Sequence, residues 1–145
     1  MANEEFKLEN QLCFRLYTAS RLVTQAYTTL LSKHGITYPQ YLVLLVLWEK
    51  DSQPVNDIAK KLVLETNTVT PLLKRMEAEG LVSRSKGADD ARQTIVKLTK
   101  KGIQLQTDLK NVPMMVGSSL VCDSVTPETV PDLFKMLDDI IQKLK

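Results

Sequence analysis

Cys13 and Cys122 are the residues of this 145-residue chain best suited to covalent chemistry. A thiolate is a nucleophile, a metal ligand and the start of an oxidation ladder that leads to sulfenic acid and disulfide. Two cysteines and the single histidine, His34, are too widely spaced to form a recognisable zinc pattern. His34 falls at a helix end, where a capping role suits it. The sequence carries no phosphate-binding glycine loop, nucleophile elbow or paired-carboxylate motif, so neither an enzyme nor a metal or cofactor is expected. Taken alone, Cys13 reads as a small buried hydrophobe, the usual state of a free cysteine.

A second chemistry-bearing set lies in residues 54–102. Thr66, Asn67, Thr68, Thr70 and Lys74 sit off the apolar face of one helix, toward its N-terminal half. Short hydroxyl and amide side chains there reach base edges or phosphates in a DNA major groove. Lys74 and Arg75 suit phosphate better than base. Arg84, Lys86 and Arg92 follow in a hairpin and are candidates for the DNA backbone or minor groove. Arg92 also stands two residues after Asp90 and can pair with it to hold the hairpin in shape. Both readings stand open.

Charge supports the placement. The net charge of +2 is small, but Val55 to Lys101 holds ten Lys or Arg against six Asp or Glu, a local net of +4. Residues 1–54 sum to zero and residues 102–145 to −2. The positive charge thus sits where phosphates would be met.

The elements that must position these groups follow from periodicity. A first helix is expected from about Glu5 to about His34, ended by Gly35 as a C-cap. A second runs from Thr37-Tyr38-Pro39 to about Lys50. It is apolar nearly all round, hence buried, and forms the central pillar of the core. Asp51-Ser52-Gln53-Pro54 reads as a turn. A short helix follows with Val55, Ile58, Ala59 and Leu62 on one face, then a second, Thr66 to Glu79, with Val69, Leu72, Leu73 and Met76 at helical spacing. Pro71 is read as early in that helix, where a missing N–H costs least, and Gly80 ends it. Leu81-Val82-Ser83-Arg84, a polar turn over Ser85 to Asp90, and the alternating Thr94-Ile95-Val96-Lys97-Leu98 make a two-stranded ribbon with a basic tip. This is a winged helix-turn-helix over residues 54–102. Beyond it, Thr99 is a plausible N-cap for a helix carrying Ile103, Leu109, Val112, Val116 and Leu120, which Pro113 kinks or breaks. Cys122-Asp123-Ser124 reads as a turn. A last helix carries Leu133, Phe134, Leu137, Ile140, Ile141 and Leu144, with Thr129 and Asp132 at its start.

The fold class is therefore mainly α with a small β-hairpin wing, one domain over residues 1–145. The length allows burial of about 70% of the unfolded surface. Residues 5–34 and 103–145 supply amphipathic helices beyond what the DNA-reading unit needs, and these are expected to make a homodimer. A two-fold dimer presents two recognition helices to a pseudo-palindromic double-stranded operator. The longest apolar run, Tyr41 to Trp48, falls short of the ~20 residues of a membrane span, and Met1 to Glu9 is acidic and polar, unlike a signal or transit peptide. A cytoplasmic protein with reduced thiols is expected.

The spacing Asp90-x-Arg92, then Leu98-Thr99-x-x-Gly102, resembles the wing signature of the MarR family of bacterial repressors. Glu9 to Tyr17 around Cys13, Gly35 to Tyr41, and Thr68 to Glu77 resemble the OhrR-like subfamily, the organic-hydroperoxide sensors within MarR. The resemblance covers most of residues 9–102 and weakens from Asp108 onward. It implies that Cys13 is a peroxide-reactive thiol, that Tyr27 and Tyr38 hydrogen-bond to it, and that the inducer is an organic hydroperoxide. It also implies a role for Cys122 as the thiol that resolves the oxidised sensor, against a passive thiol.

Helix geometry bears on the same residues. Cys13 and Tyr27, fourteen residues apart on one helix, share a face but stand roughly 21 Å apart. They cannot meet within one chain, whereas antiparallel pairing of two first helices could bring Tyr27 of one subunit to Cys13 of the other. Two rivals remain: a MarR-type repressor released by a small phenolic ligand with no redox role, and a cysteine peroxidase. The missing Cys-x-x-Cys motif and the complete winged helix weigh against the second.

Overall fold

Helices α1 and α2 end and begin where the sequence supplies the chemistry. Helix α1 spans Leu12–Leu31 and α2 spans Tyr38–Glu49. Between them a short 3-10 turn closes on Gly35 at φ 71°, a left-handed position that glycine adopts without a Cβ penalty. Thr37 starts α2 with a capping box: the Gln40 N–H donates to Thr37 Oγ1 at 3.4 Å and the Thr37 N–H donates to Gln40 Oε1 at 3.0 Å. Pro39 lies in the first turn, where its missing N–H leaves no bond unmade. Tyr41, Val43, Leu44, Val46 and Leu47 are buried, so α2 is the pillar its all-round apolarity predicts. Leu45 is its exposed exception.

The computed structural model describes residues 3–145; Met1 and Ala2, part of the expected polar N-terminus, lie outside them. These residues divide into two compact units, 3–110 and 111–145. In the first unit α1 begins later than expected. Glu4–Phe6 and Leu8–Asn10 form separate 3-10 turns. Side chains draw the early carbonyls away from a continuous helix: Asn10 Nδ2 donates to Glu4 O at 2.7 Å and Gln11 Nε2 donates to Glu5 O at 2.7 Å.

The helix-turn-helix follows as α3, Val55–Leu62, and α4, Thr66–Ala78. Val63 joins them at φ 56°, and the Leu64 N–H donates to Ala59 O at 2.9 Å, closing the tight turn. Val55, Ile58 and Ala59 of α3 and Val69, Leu72, Leu73 and Met76 of α4 are buried. Pro71 is further in than expected. It sits at the sixth residue of α4, so the Asn67 carbonyl has no i+4 N–H. Gly80, at φ 76°, lies just past the helix end.

The wing is a three-stranded antiparallel sheet rather than a two-stranded ribbon. Strands β1 (Gln53–Pro54), β2 (Val82–Lys86) and β3 (Thr94–Leu98) lie in the order β1-β3-β2. Val82 faces Leu98, Arg84 faces Val96 and Lys86 faces Thr94. The segment read as a turn supplies β1, with Gln53 opposite Val96. Two residues ending in proline give no alternation to read, and an edge strand is where proline is tolerated. Asp51 Oδ1 fastens the connection by accepting from the Leu98 N–H at 2.9 Å.

Thr99 caps α5, Lys100–Asp108, accepting from the Gly102 N–H at 3.1 Å. A Cβ on Gly102 would lie 2.3 Å from Leu81 O, so this glycine is required by close backbone approach. Trp48 Nε1 donates to Gly102 O at 2.9 Å, joining α2 to α5.

The second unit contains α6, Val112–Ser119, and α7, Val130–Leu144. The expected helix is broken before Pro113, which stands in the first turn of α6, and Pro131 stands likewise in the first turn of α7. Thr129 does not cap α7 with its side chain. Its hydroxyl donates to Ser124 O at 2.8 Å and accepts from the Thr126 N–H at 2.8 Å. None of the α7 residues is buried, although Leu133, Leu137, Ile140, Phe134, Ile141 and Leu144 repeat at helical spacing.

Candidate functional site

Thr66, Asn67 and Thr68 form the exposed first turn of α4, and Thr70, half-buried, follows one turn on. They are presented because Val69, Leu72, Leu73 and Met76 anchor the opposite face. Thr66 Oγ1 bonds to Asn56 Oδ1 of α3 at 3.2 Å, and Thr70 Oγ1 donates to Thr66 O at 2.9 Å. Lys74 and Arg75 are exposed further along α4.

Between this helix and the wing lies an open cleft of about 470 Å³, lined by Asn56, Thr66, Thr70, Arg84 and Arg92 among others. Four of the sequence-predicted contacts therefore converge. Asn67, Thr68, Lys74, Arg75 and Lys86 are exposed but do not line it.

The two wing arginines differ. Arg92 reaches out from the hairpin tip with its side chain 92% exposed. Asp90 grips it from behind: Arg92 Nε donates to Oδ1 at 3.1 Å, a terminal nitrogen to Oδ2 at 3.3 Å, and the Arg92 backbone N–H to Oδ1 at 3.0 Å. These bonds hold the Asp90 carboxyl below its ordinary value. Pairing and outward presentation coexist, so the two readings of Arg92 do not compete. Arg84 points back to α4, where Glu77 accepts from its side chain at 3.2 and 3.3 Å and from its backbone N–H at 3.0 Å. The sequence reading missed Glu77; it lies on α4 and Arg84 on β2, so no single periodicity relates them.

Cys13 is exposed on the first turn of α1, contrary to a small buried hydrophobe. Leu12, Phe14, Tyr17 and Leu22 on the same helix are exposed as well. Tyr27 and Tyr38 meet within the chain, ring centroids 4.7 Å apart. Tyr41, which the sequence reading did not single out, completes the cluster at 5.5 Å from Tyr27 and 6.2 Å from Tyr38. Its spacing of three from Tyr38 on α2 was the available signal. Burial raises all three phenols, aided for Tyr27 by Tyr38 and for Tyr41 by both neighbours; Tyr41 is pushed up to about 12. Each phenol therefore keeps its proton near neutrality and can donate a hydrogen bond to an anion. Cys13 and Tyr27 lie on one uninterrupted helix, so the expected separation of roughly 21 Å stands.

In the second unit Cys122 is an exposed free thiol. Its backbone N–H donates to Val125 O at 3.0 Å in the connection between α6 and α7. Among the described residues no cluster of His, Cys, Asp and Glu could hold a metal ion, and no helix is long and apolar enough to cross a membrane.

The family model described as "Transcriptional regulator SarA/Rot" matches residues 25–109. The organic hydroperoxide resistance transcriptional regulator of Bacillus subtilis is 40% identical over 97% of this chain and 96% of its own length. Reduced AbfR bound to DNA superposes with a TM-score of 0.78 at 40% identity, covering 98% of each chain; AbfR comes from Staphylococcus epidermidis. Its disulfide form gives a TM-score of 0.65 at 41% identity, over 97% of this chain and 94% of that one.

Proposed function

The chain belongs to the SarA/Rot transcriptional regulators and, within the MarR family, to the OhrR-like kind, and from that membership we propose that it is a homodimeric repressor that releases its operator when Cys13 is oxidised by an organic hydroperoxide. The relationship to a hydroperoxide-resistance regulator at 40% identity over nearly the whole chain carries this reading. The likeness to a regulator known reduced on DNA and in a disulfide form supports it. The protein acts in the cytoplasm and as a regulator, without turning over peroxide.

Thr66, Asn67, Thr68 and Thr70 read the major groove. Lys74, Arg75 and Lys86 meet phosphates, and Arg92 enters the minor groove at the wing tip. Arg84 serves the interface indirectly, by tying the wing to α4 through Glu77. Tyr27 and Tyr38 donate to the Cys13 thiolate of the partner subunit, which favours the anion. The thiolate sulfur attacks the terminal peroxide oxygen, the O–O bond breaks, and the alkoxide leaves and takes up a proton as an alcohol. Sulfur loses two electrons and becomes sulfenic acid. Attack by the Cys122 thiol of the subunit opposite the oxidised Cys13 then forms an intersubunit disulfide and expels water. Exposed Leu12, Phe14 and Tyr17, on the same helix as Cys13, favour an apolar peroxide substituent.

Trapping with a carbon-acid probe for sulfenic acid tests the assignment. Stoichiometric organic hydroperoxide is expected to label Cys13 in the Cys122→Ser protein. Labelling elsewhere, or none, contradicts it.

A further inference from the structure

The first turn of α2 faces two ways. Tyr38 and Tyr41 turn toward Tyr27 of α1, with ring centroids 4.7 and 5.5 Å from it. Gln40, between them in sequence, is 3% exposed and is the buried polar side chain of the core. Its amide has two partners. Oε1 accepts from the Thr37 N–H at 3.0 Å, inside the capping box that starts the helix. Nε2 donates to Glu79 Oε2 at 3.0 Å, thirty-nine residues away at the C-cap of the recognition helix α4. A carboxylate only accepts and a backbone N–H only donates, so a single orientation of the amide satisfies both.

Glu79 is in turn fixed to the end of α4. Its N–H donates to Arg75 O at 2.9 Å, and Lys101 Nζ donates to its carbonyl at 3.1 Å. One side chain therefore spans from the helix turn that carries Tyr38 to the last turn of the helix that carries Thr66, Thr70 and Arg75. The bond is half-buried, with Gln40 inside and Glu79 at the surface; hydrogen bonds to a charged group are directional, and a buried amide that loses its partner is costly. Thr37 and Gln40 belong to the same capping box, so a shift of the first turn of α2 carries both and falls on the bond to Glu79.

We propose that Gln40 and Glu79 are positioning residues that couple the Tyr27–Tyr38–Tyr41 cluster to the recognition helix, so that displacement of Tyr38 is felt at α4 through the Gln40–Glu79 hydrogen bond. The inference deepens the thiol-sensor reading, since oxidation of Cys13 is the event that would displace Tyr38. The link itself, however, concerns Tyr38 and operator affinity alone.

A double-mutant cycle on the full-length reduced protein tests it. Affinity for the DNA upstream of its own gene is measured for wild type, Tyr38→Ala, Glu79→Ala and the double variant, with helix content of each checked by circular dichroism. Tyr38→Ala is expected to weaken binding about tenfold with Glu79 present, about 1.4 kcal/mol, and no more than about twofold with Ala at that position. Glu79→Gln keeps an oxygen acceptor for Gln40 Nε2 and is expected to restore the full effect of Tyr38→Ala, which a purely structural role of Glu79 would not require. If Tyr38→Ala misfolds, Tyr38→Leu replaces it. Effects that multiply independently in the cycle, or a Tyr38 substitution without effect beside Glu79, overturn the coupling. An oxidant arm separates the two readings. Wild type that holds DNA under hydroperoxide while the cycle shows coupling removes the sensor and keeps the link. Release with an additive cycle does the reverse.

Discussion

In the proposed sensor the phenols of Tyr27, Tyr38 and Tyr41 serve as donors because they are poor acids. Burial disfavours phenolate in all three, and Tyr41 is pushed up to about 12. A protonated phenol beside a thiolate gives a hydrogen bond and no repulsion. The same shifts carry a stability consequence. A group whose folded value is raised holds its proton longer in the native state than in the unfolded chain. Its stabilisation is therefore complete below the ordinary tyrosine value of about 10 and is lost as pH rises toward about 12. Urea unfolding at about pH 9 and about pH 11 is expected to show a fall that Tyr41→Phe reduces. An equal fall in that variant contradicts the assignment. The cluster was only partly readable in the sequence. Resemblance singled out Tyr27 and Tyr38, while Tyr41 had spacing alone, and spacing does not say which neighbouring helix a side chain will meet.

At the scale of elements, the wing works because its tip is built before DNA arrives. Asp90 accepts three hydrogen bonds from Arg92 and leaves the guanidinium projecting outward. Two physical effects make opposite predictions for Asp90→Ala. Removing a negative charge near phosphates strengthens binding; losing the grip on Arg92 weakens it. Preorganisation is expected to win, with affinity reduced about three- to tenfold, the scale of one charge-assisted contact. Arg92→Ala is expected to lose at least as much and to make the double variant no worse. Tighter binding by Asp90→Ala in anisotropy titrations would contradict this. Most elements were readable because their boundaries are chemical: Gly35, Thr37, Gly80 and Thr99 end or cap helices where expected. The misplaced features lack such marks. Strand β1 is two residues long, and the delayed start of α1 depends on Asn10 and Gln11 reaching back to carbonyls. The tie from Arg84 to Glu77 was likewise beyond a sequence reading, because the two meet only through the packing of α4 on β2, whereas the Asp90–Arg92 pair was readable from its spacing of two.

For the whole molecule, the apolar surface left open in one chain points to a second copy. Leu12, Phe14 and Tyr17 on α1 and Phe134, Ile141 and Leu144 on α7 are exposed, and at about 25 cal/mol per Å² such surface is costly to leave in water. Phe134→Glu is expected to shift sedimentation from dimer to monomer at micromolar protein and to abolish operator binding. A dimer that persists unchanged would place the interface elsewhere. Dimerisation was inferable from unclaimed amphipathic stripes; which faces meet was not, because complementarity belongs to two surfaces. Oxidant-induced crosslinking on non-reducing gels bears on the same interface. It is expected in wild type and absent in both Cys13→Ser and Cys122→Ser. A crosslink that survives Cys122→Ser removes that residue as the resolving thiol.

The most direct measurement is fluorescence anisotropy of the reduced protein on its own upstream DNA, before and after stoichiometric organic hydroperoxide, with Cys13→Ser alongside. Reversing a two-state equilibrium from nearly full occupancy to nearly none needs a differential of roughly 5 kcal/mol. The account predicts release of wild type by oxidant, recovery on addition of thiol reductant, and continued binding by Cys13→Ser. Wild-type binding that is tight and indifferent to hydroperoxide would contradict it and leave a MarR repressor answering to another signal.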